Sequence, residues 1–270
     1  MDLFDTHCHI QSVGLSEGER STRELWAKKP ELSLDQVVKS AQDNKVQQMI
    51  CVGCDLEDSK LAIKQVQNRG GLYASIGLHP HEAQRYAGQK EALDAFAGLV
   101  SRPKVVAVGE CGLDYFYEHS PREAQIAVLK FQLELALKHD LPLIFHVREA
   151  FDDFWPIFES YQGIRGVLHS FTDSVENMQK ATEYGLFIGV NGIATFAKEE
   201  EKRVMYRTIP QHLLLLETDA PFLTPVPFRG KVNEPKHTRE VAAFLAELRQ
   251  EPLEALAAAT TANAKKLFNV

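Results

Sequence analysis

PREAQIAVLKFQLELALKHDLPLIFHVR, residues 121–148, carries the pattern on which the rest of the chain is built. From 123 to 140 apolar residues return at helical spacing, and the pattern stops just before Asp140 and Pro142. Residues 142–148 then form a near-continuous apolar run of a length that suits a parallel strand buried on both faces. At the head of the helix, Ser120-Pro121-Arg122-Glu123 reads as a capping box with proline in the first helical position. Ser33-Leu34-Asp35-Gln36 reads as another.

Working outward, the same helix–strand beat recurs in both directions. Strands are expected at 1–9, 46–54, 72–79, 105–111, 142–148, 165–171, 186–192 and 213–219, and two closing helices at 236–249 and 252–268. Eight β-then-α units in about 250 residues is the arithmetic of a TIM (β/α)8 barrel with extra C-terminal helices. The rival is a doubly wound open sheet, but no glycine-rich dinucleotide fingerprint follows the first strand. No Pro/Gly/Ser-rich linker divides the chain, so residues 1–270 are expected to form a single domain. The long loops 11–32 and 220–235 are expected at the C-terminal rim of the strands, where barrel enzymes keep their sites.

Composition sets further bounds. With 44% apolar residues the chain can bury a full core, which excludes intrinsic disorder. No apolar stretch approaches the roughly 18 residues of a membrane span. The start, MDLFDTHCHI, lacks a basic segment followed by an apolar one, so no secretory signal is expected. Four cysteines make no disulfide framework, and a reducing cytoplasm is the expected compartment. Cys51 and Cys54 spell CxxC without a second pair, and with Cys8 and Cys111 they read as buried small hydrophobes. The net charge of −7 argues against a whole-surface grip on nucleic acid, though not against a local one.

The chemistry gathers at strand ends. His7 and His9 stand two apart on the first strand, so both point to one face while Cys8 points away. Two converging imidazoles suit a divalent metal. Glu110, His146, His169 and Asp219 end the fourth, fifth, sixth and eighth strands. In a barrel these four histidines and two carboxylates would line one cavity. The carboxylates would carry a large desolvation cost there without compensating charge. Metal ions supply that charge. Six ligands exceed one tetrahedral zinc, so two ions are expected, with a carboxylate such as Glu110 suited to bridge them. Histidine with carboxylate suits zinc, manganese, iron or nickel, whereas magnesium usually prefers oxygen ligands.

At this point the chain resembles a known family. HCH at 7–9, GLHPH at 77–81, GECGLDY at 109–115, FHVRE at 145–149, HSF at 169–171, ETDAPFLTP at 217–225 and RGKVNEP at 229–235 are similar to the signature blocks of the TatD-family metal-dependent hydrolases. TANAKKLF at 261–268 fits as well, so the likeness runs the length of the chain in the right order. It implies a TIM barrel and a cytoplasmic deoxyribonuclease that needs divalent metal, magnesium included. It also implies that His7, His9, Glu110 and Asp219 hold one ion and that Glu110, His146 and His169 hold the second.

The expected reaction is hydrolysis of phosphodiester bonds in DNA by a water activated between two metal ions, with Asp219 orienting and deprotonating the water. Glu217 and Asp5, each two residues before a ligand, either accept a histidine N–H or pair elsewhere. His79 is expected at the substrate rather than in a second metal pair with His81, because the ring already supplies enough ligands. Arg148 and Arg229 are candidates for phosphate, Asn191 for phosphate or for capping a turn, and Lys231 reads as a solvated charge. Tyr115, Phe116 and Trp26 lie in loops, where they either stack on bases or anchor local packing. An acidic enzyme holding a few nucleotides favours exonuclease action on single-stranded or frayed ends. The competing functions are amide or ester hydrolysis on the same fold, aminoacyl-tRNA deacylation included, and a non-enzymatic metal-holding scaffold.

Overall fold

The structure is a computed structural model that describes residues 1–15 and 21–270. Its strands are β1 (Leu3–Cys8), β2 (Val46–Val52), β3 (Leu72–Ile76), β4 (Val105–Asp114), β5 (Leu143–Arg148), β6 (Gly166–Leu168), β7 (Phe187–Val190) and β8 (Leu214–Leu216). The helices are α1 (Ser21–Trp26), α2 (Leu34–Asp43), α3 (Leu56–Val66), α4 (Lys90–Ala97), α5 (Arg122–Lys138), α6 (Phe151–Glu159), α7 (Val175–Glu183), α8 (Glu200–Thr208), α9 (Thr238–Arg249) and α10 (Leu253–Phe268). Hydrogen bonding orders the eight strands as they occur in the chain, with a helix after every strand. This is the wiring of a TIM barrel, as the alternating pattern led us to expect. No helix among the described residues is long and apolar enough to cross a membrane.

The chain contacts resolve into two compact units. The first comprises Met1–Cys51 and Ser170–Lys266. In it β7 pairs with β8 and β1 with β2, both in parallel. The end of β8 returns to β1, since the Asp219 N–H donates to the His7 carbonyl at 2.8 Å and the His9 N–H to the Ala220 carbonyl at 2.7 Å. The helix α2 buries Leu34, Val37, Val38 and Ala41, one face of a 3.6-residue repeat. Its start is the capping box expected there, with Ser33 and Gln36 satisfying each other's backbone N–H groups.

The second unit comprises Val52–His169 and Leu267–Val270, and runs β3–β4–β5–β6. Its longest helix, α5, buries two glutamines seven residues apart, hence on one face. Gln132 clamps the peptide of Leu78 with both ends of its amide, at 2.9 and 3.0 Å. Gln125 does the same for Asp114, at 2.8 and 3.1 Å. One helix face therefore holds the chain just before His79 and at the end of β4.

Several boundaries differ from the sequence reading. The strand β4 continues to Asp114 rather than ending at Cys111, because Gly112, Leu113 and Asp114 pair with His146, Val147 and Arg148 of β5. Strands β6 and β8 are shorter than expected, at three residues each. Loop 11–32 contains α1, while residues 16–20 lie outside the described residues. The second capping box does not form. Pro121 is the N-cap of α5 and makes no side-chain cap bond. The Ser120 hydroxyl instead donates to the His81 carbonyl at 2.8 Å and accepts from Gln84 N–H at 3.0 Å, tying down the turn after β3.

Gly112 is the tightest point of the β4–β5 pairing. Its φ is +151°, and a Cβ there would lie 1.8 Å from the carbonyl oxygen of His146. A Gly112→Ala variant should lose at least about 2 kcal/mol of stability, because both the backbone conformation and the strand spacing exclude the methyl group. Chemical denaturation checks this, and a change within 0.5 kcal/mol would show that the strands can separate there at little cost.

Candidate metal centre

Each unit gathers its own cluster of metal-ligating side chains. In the first, the alternation of β1 and the turn after it bring His7 and His9 together, with Nε2 atoms 3.3 Å apart. Asp219 Oδ1 lies 3.7 Å from His7 Nε2 and 3.2 Å from His9 Nε2. Asp219 sits at φ +58°, a left-handed conformation that aspartate tolerates better than most residues. Phe222 stands edge-on to the His9 ring.

In the second unit the cluster centres on Glu110, which is 5% exposed. Its Oε1 lies 2.9 Å from His169 Nε2, 3.1 Å from His146 Nδ1 and 3.4 Å from His79 Nε2. His146 Nδ1 and His169 Nε2 are 3.3 Å apart. A Cβ on Gly77 would lie 2.3 Å from the Glu110 backbone nitrogen, so the glycine of GLHPH lets the two chains approach under the carboxylate.

These donor sets fit a divalent cation. Imidazole and carboxylate suit zinc and manganese, and crowded lone pairs in a buried site call for positive charge. His146 is oriented for such a role. Its Nε2 lies 2.9 Å from Asp114 Oδ2, which fixes the proton on that nitrogen and turns the Nδ1 lone pair toward Glu110 and His169. Asp114 is fully buried, and its Oδ2 also meets His81 Nε2 at 3.0 Å. Burial alone would raise the Asp114 carboxyl, but the rings of His146 and His81 and the Tyr117 N–H hold it well below the usual carboxylate range. His146 is raised in turn: burial opposes its charge, and Asp114 and Glu110 more than offset that. The sequence reading did not single out Asp114. Its signal was the spacing Glu110–Gly112–Asp114 on one strand face, hidden because Gly112 reads as the end of a strand.

His79 differs from the other imidazoles. Its Nδ1 accepts the His81 N–H at 3.1 Å, so the ring proton is on Nε2, the atom that faces Glu110. Burial lowers its pKa to about 4, which keeps the ring neutral. It therefore offers a hydrogen-bond donor rather than a lone pair.

Asp5 and Glu217 accept from backbone N–H groups and from side-chain donors. Asp5 accepts from the His7 N–H at 3.2 Å, from the Thr218 N–H at 2.9 Å and from the Thr218 hydroxyl at 2.5 Å. Burial pushes its pKa up to about 8. Glu217 Oε1 accepts the Ser170 N–H at 2.6 Å, next to His169, and lies 3.3 Å from the Asn191 amide nitrogen. Asn191 is 2% exposed; its amide also donates to Ser170 Oγ and accepts the Ile193 N–H, which is the turn-capping role. Arg148 and Arg229 are exposed and lie over aromatic rings, Phe116 and Phe196 respectively. Trp26 is a packing anchor, 2% exposed, with its indole N–H on the His9 carbonyl at 3.0 Å. Cys8, Cys51 and Cys111 are buried as read, but Cys54 is half-buried with Sγ 3.8 Å from Glu110 Oε2.

Histidine–carboxylate clusters on and just beyond the strands of a TIM-barrel wiring are the mark of a metal-dependent hydrolase. The chain belongs to the TatD family: residues 4–269 match the model of the TatD related DNases. It is 35% identical to the uncharacterized metal-dependent hydrolase YabD of Bacillus subtilis over 270 residues, covering 99% of each chain. It is 34% identical over 243 residues to the 3'-5' ssDNA/RNA exonuclease TatD of Escherichia coli, covering 87% of this chain and 93% of that protein. The crystal structure of YjjV, a TatD homologue of E. coli, superposes with a TM-score of 0.85 at 30% identity, covering 99% of this chain and 98% of that one.

The Asp114–His146 pair gives a test in the chelator-treated protein. Asp114 has a depressed folded-state pKa, so its stabilisation is present above the unfolded value of about 3.9 and is lost as pH falls further. The wild type should lose stability steeply below about pH 4, and Asp114→Asn should show a shallower acid limb and a lower plateau at neutral pH. Melting temperature against pH reads both, and superimposable acid limbs would remove the assignment.

Proposed function

We propose that this chain is a metal-dependent nuclease that hydrolyses phosphodiester bonds of single-stranded or frayed DNA ends with two divalent ions. Mg2+, Mn2+ and Zn2+ are the candidates. One ion would be held by His7, His9 and Asp219, and the other by Glu110, His146 and His169. The observation that carries this reading is the gathering of three imidazole nitrogens on a single oxygen of buried Glu110. The family membership and the exonuclease name of the E. coli relative support the same substrate class.

Divalent ions held by these residues would supply positive charge and Lewis acidity for phosphodiester hydrolysis. The chain's own residues do the rest. Asp219 orients the attacking water and accepts its proton. His79, with its proton on Nε2, donates to a phosphate oxygen. Asp114 holds the proton of His146 on Nε2, so that Nδ1 stays a ligand atom. Arg148 and Arg229 meet backbone phosphates. Asn191 and Glu217 hold the Ser170 peptide beside His169, and Asp5 holds the backbone around His7 and Thr218. The overall charge of −7 disfavours a long electrostatic track, so a few nucleotides at a strand end suit this enzyme better than duplex DNA.

The test is hydrolysis of 3′- and 5′-labelled single-stranded DNA, run beside small amide and ester substrates. Chelation should abolish cleavage, and added metal should restore it. Asp219→Asn should fold and lose about two to four orders of magnitude in turnover. His169→Ala should retain fewer ions by elemental analysis, and it controls for contaminating nuclease. A fully active Asp219→Asn enzyme would remove the proton-acceptor role. Cleavage of amides but not DNA would overturn the substrate class.

A further inference from the structure

We propose that Phe116, Tyr117 and Arg148 form a ledge that binds an unpaired nucleobase of the substrate strand, an inference that rests on the nuclease reading above. Phe116 and Tyr117 are 49% and 50% exposed, consecutive in the chain, and meet edge to face with centroids 4.7 Å apart. Two half-exposed rings at the end of β4 contribute little to the core. The Arg148 guanidinium lies 4.1 Å from the Phe116 centroid and 4.8 Å from that of Tyr117. No carboxylate among the described residues pairs with it.

The neighbouring pair shows what a purely structural version looks like. Arg122 lies 4.0 Å over the Tyr115 ring. Its guanidinium is tied to Glu118 at 2.8 Å, and the Tyr115 hydroxyl donates to Asp153 at 2.7 Å. That pair is closed in charge and hydrogen bonding, whereas the Arg148 ledge is open in both. An exposed ring face beside an uncompensated guanidinium complements a base joined to a phosphate. Stacking supplies affinity with any base, and arginine supplies the anionic contact.

The ledge is also built into the candidate metal centre. Asp114 Oδ1 accepts the N–H groups of Phe116 and Tyr117 at 3.1 and 3.0 Å, while its Oδ2 holds His146 Nε2 at 2.9 Å. One buried carboxylate therefore fixes the turn that carries the rings and the imidazole that faces Glu110. Tyr117 is steadied further by His119, whose ring lies parallel to it at 5.6 Å. A base seated on the ledge pays no ordering cost for the loop, and its phosphate is delivered next to β5, which carries both His146 and Arg148.

The experiment is equilibrium binding to the metal-loaded enzyme, followed by fluorescence anisotropy. The probes are a labelled oligothymidylate with phosphorothioate linkages, to slow hydrolysis, and an abasic oligonucleotide of the same length and linkage. The wild type should hold the intact strand about tenfold or more tightly than the abasic one. The double variant Phe116→Ala/Tyr117→Ala should bring the intact strand down to the abasic level. Phe116→Trp should preserve the preference, which separates loss of stacking from loss of fold. Arg148→Gln should weaken both probes, because its contact is to phosphate. Equal wild-type affinity for the two probes, including no affinity for either, would overturn the ledge, as would a preference that survives the double substitution. The nuclease reading is judged separately by cleavage of labelled strands: an enzyme that cuts DNA without base preference keeps that function and loses only the ledge.

Discussion

Glu110 is a carboxylate with almost no contact with water, and its Oε1 has three imidazole nitrogens within 3.4 Å. A buried charge of this kind persists only where positive charge or donated protons surround it. The arrangement around it follows from that requirement. His79 arrives with its proton on Nε2, and His146 and His169 arrive with nitrogens close enough to share a cation. The glycine at 77 is the backbone counterpart, since any side chain there would strike the Glu110 peptide.

The supports around the centre use few residues for many tasks. Asp114 holds His146 and His81 with one oxygen and two backbone N–H groups with the other. Its own peptide is clamped by Gln125 of α5, while Gln132 on the same face of that helix clamps the peptide that precedes His79. A helix whose usual task is to bury an apolar face thereby also sets the positions of two strand ends. Glu149, Ser170 and Asp219 all have positive φ, each at or just beyond a residue of the proposed centre or ledge. Non-glycine residues are held in that region only where surrounding contacts over-determine them, and such positions concentrate at functional sites.

The formal charge of −7 argues against a whole-surface grip on nucleic acid and leaves a local one open. Two local features bear on the charge a ligand would meet. The histidine–carboxylate clusters are suited to hold cations, which would change the field at the strand ends. Arg148 lies over two exposed rings and has no carboxylate partner among the described residues. The charge that matters to a ligand is therefore the charge left after internal pairing, and a sum over the sequence does not show it.

What the sequence determined by itself was the repeating unit, its number and a set of candidate metal ligands. Helical periodicity and the capping of α2 depend on neighbours within a few positions, so they are readable without tertiary contacts. The convergence of His7 with His9 was also readable, because strand alternation places both on one face. The tertiary structure alone decided three other matters. It extended β4 to Asp114, because pairing with β5 overrode the local tendency of Gly112 to end a strand. It moved Ser120 from helix cap to turn clamp, because the His81 carbonyl lay within reach. It gave Trp26 to the core and left Phe116 exposed, although both read alike as loop aromatics. In each case a partner distant in the chain competed with a local preference worth about 1 kcal/mol, and a hydrogen bond or a buried ring is enough to decide such a contest.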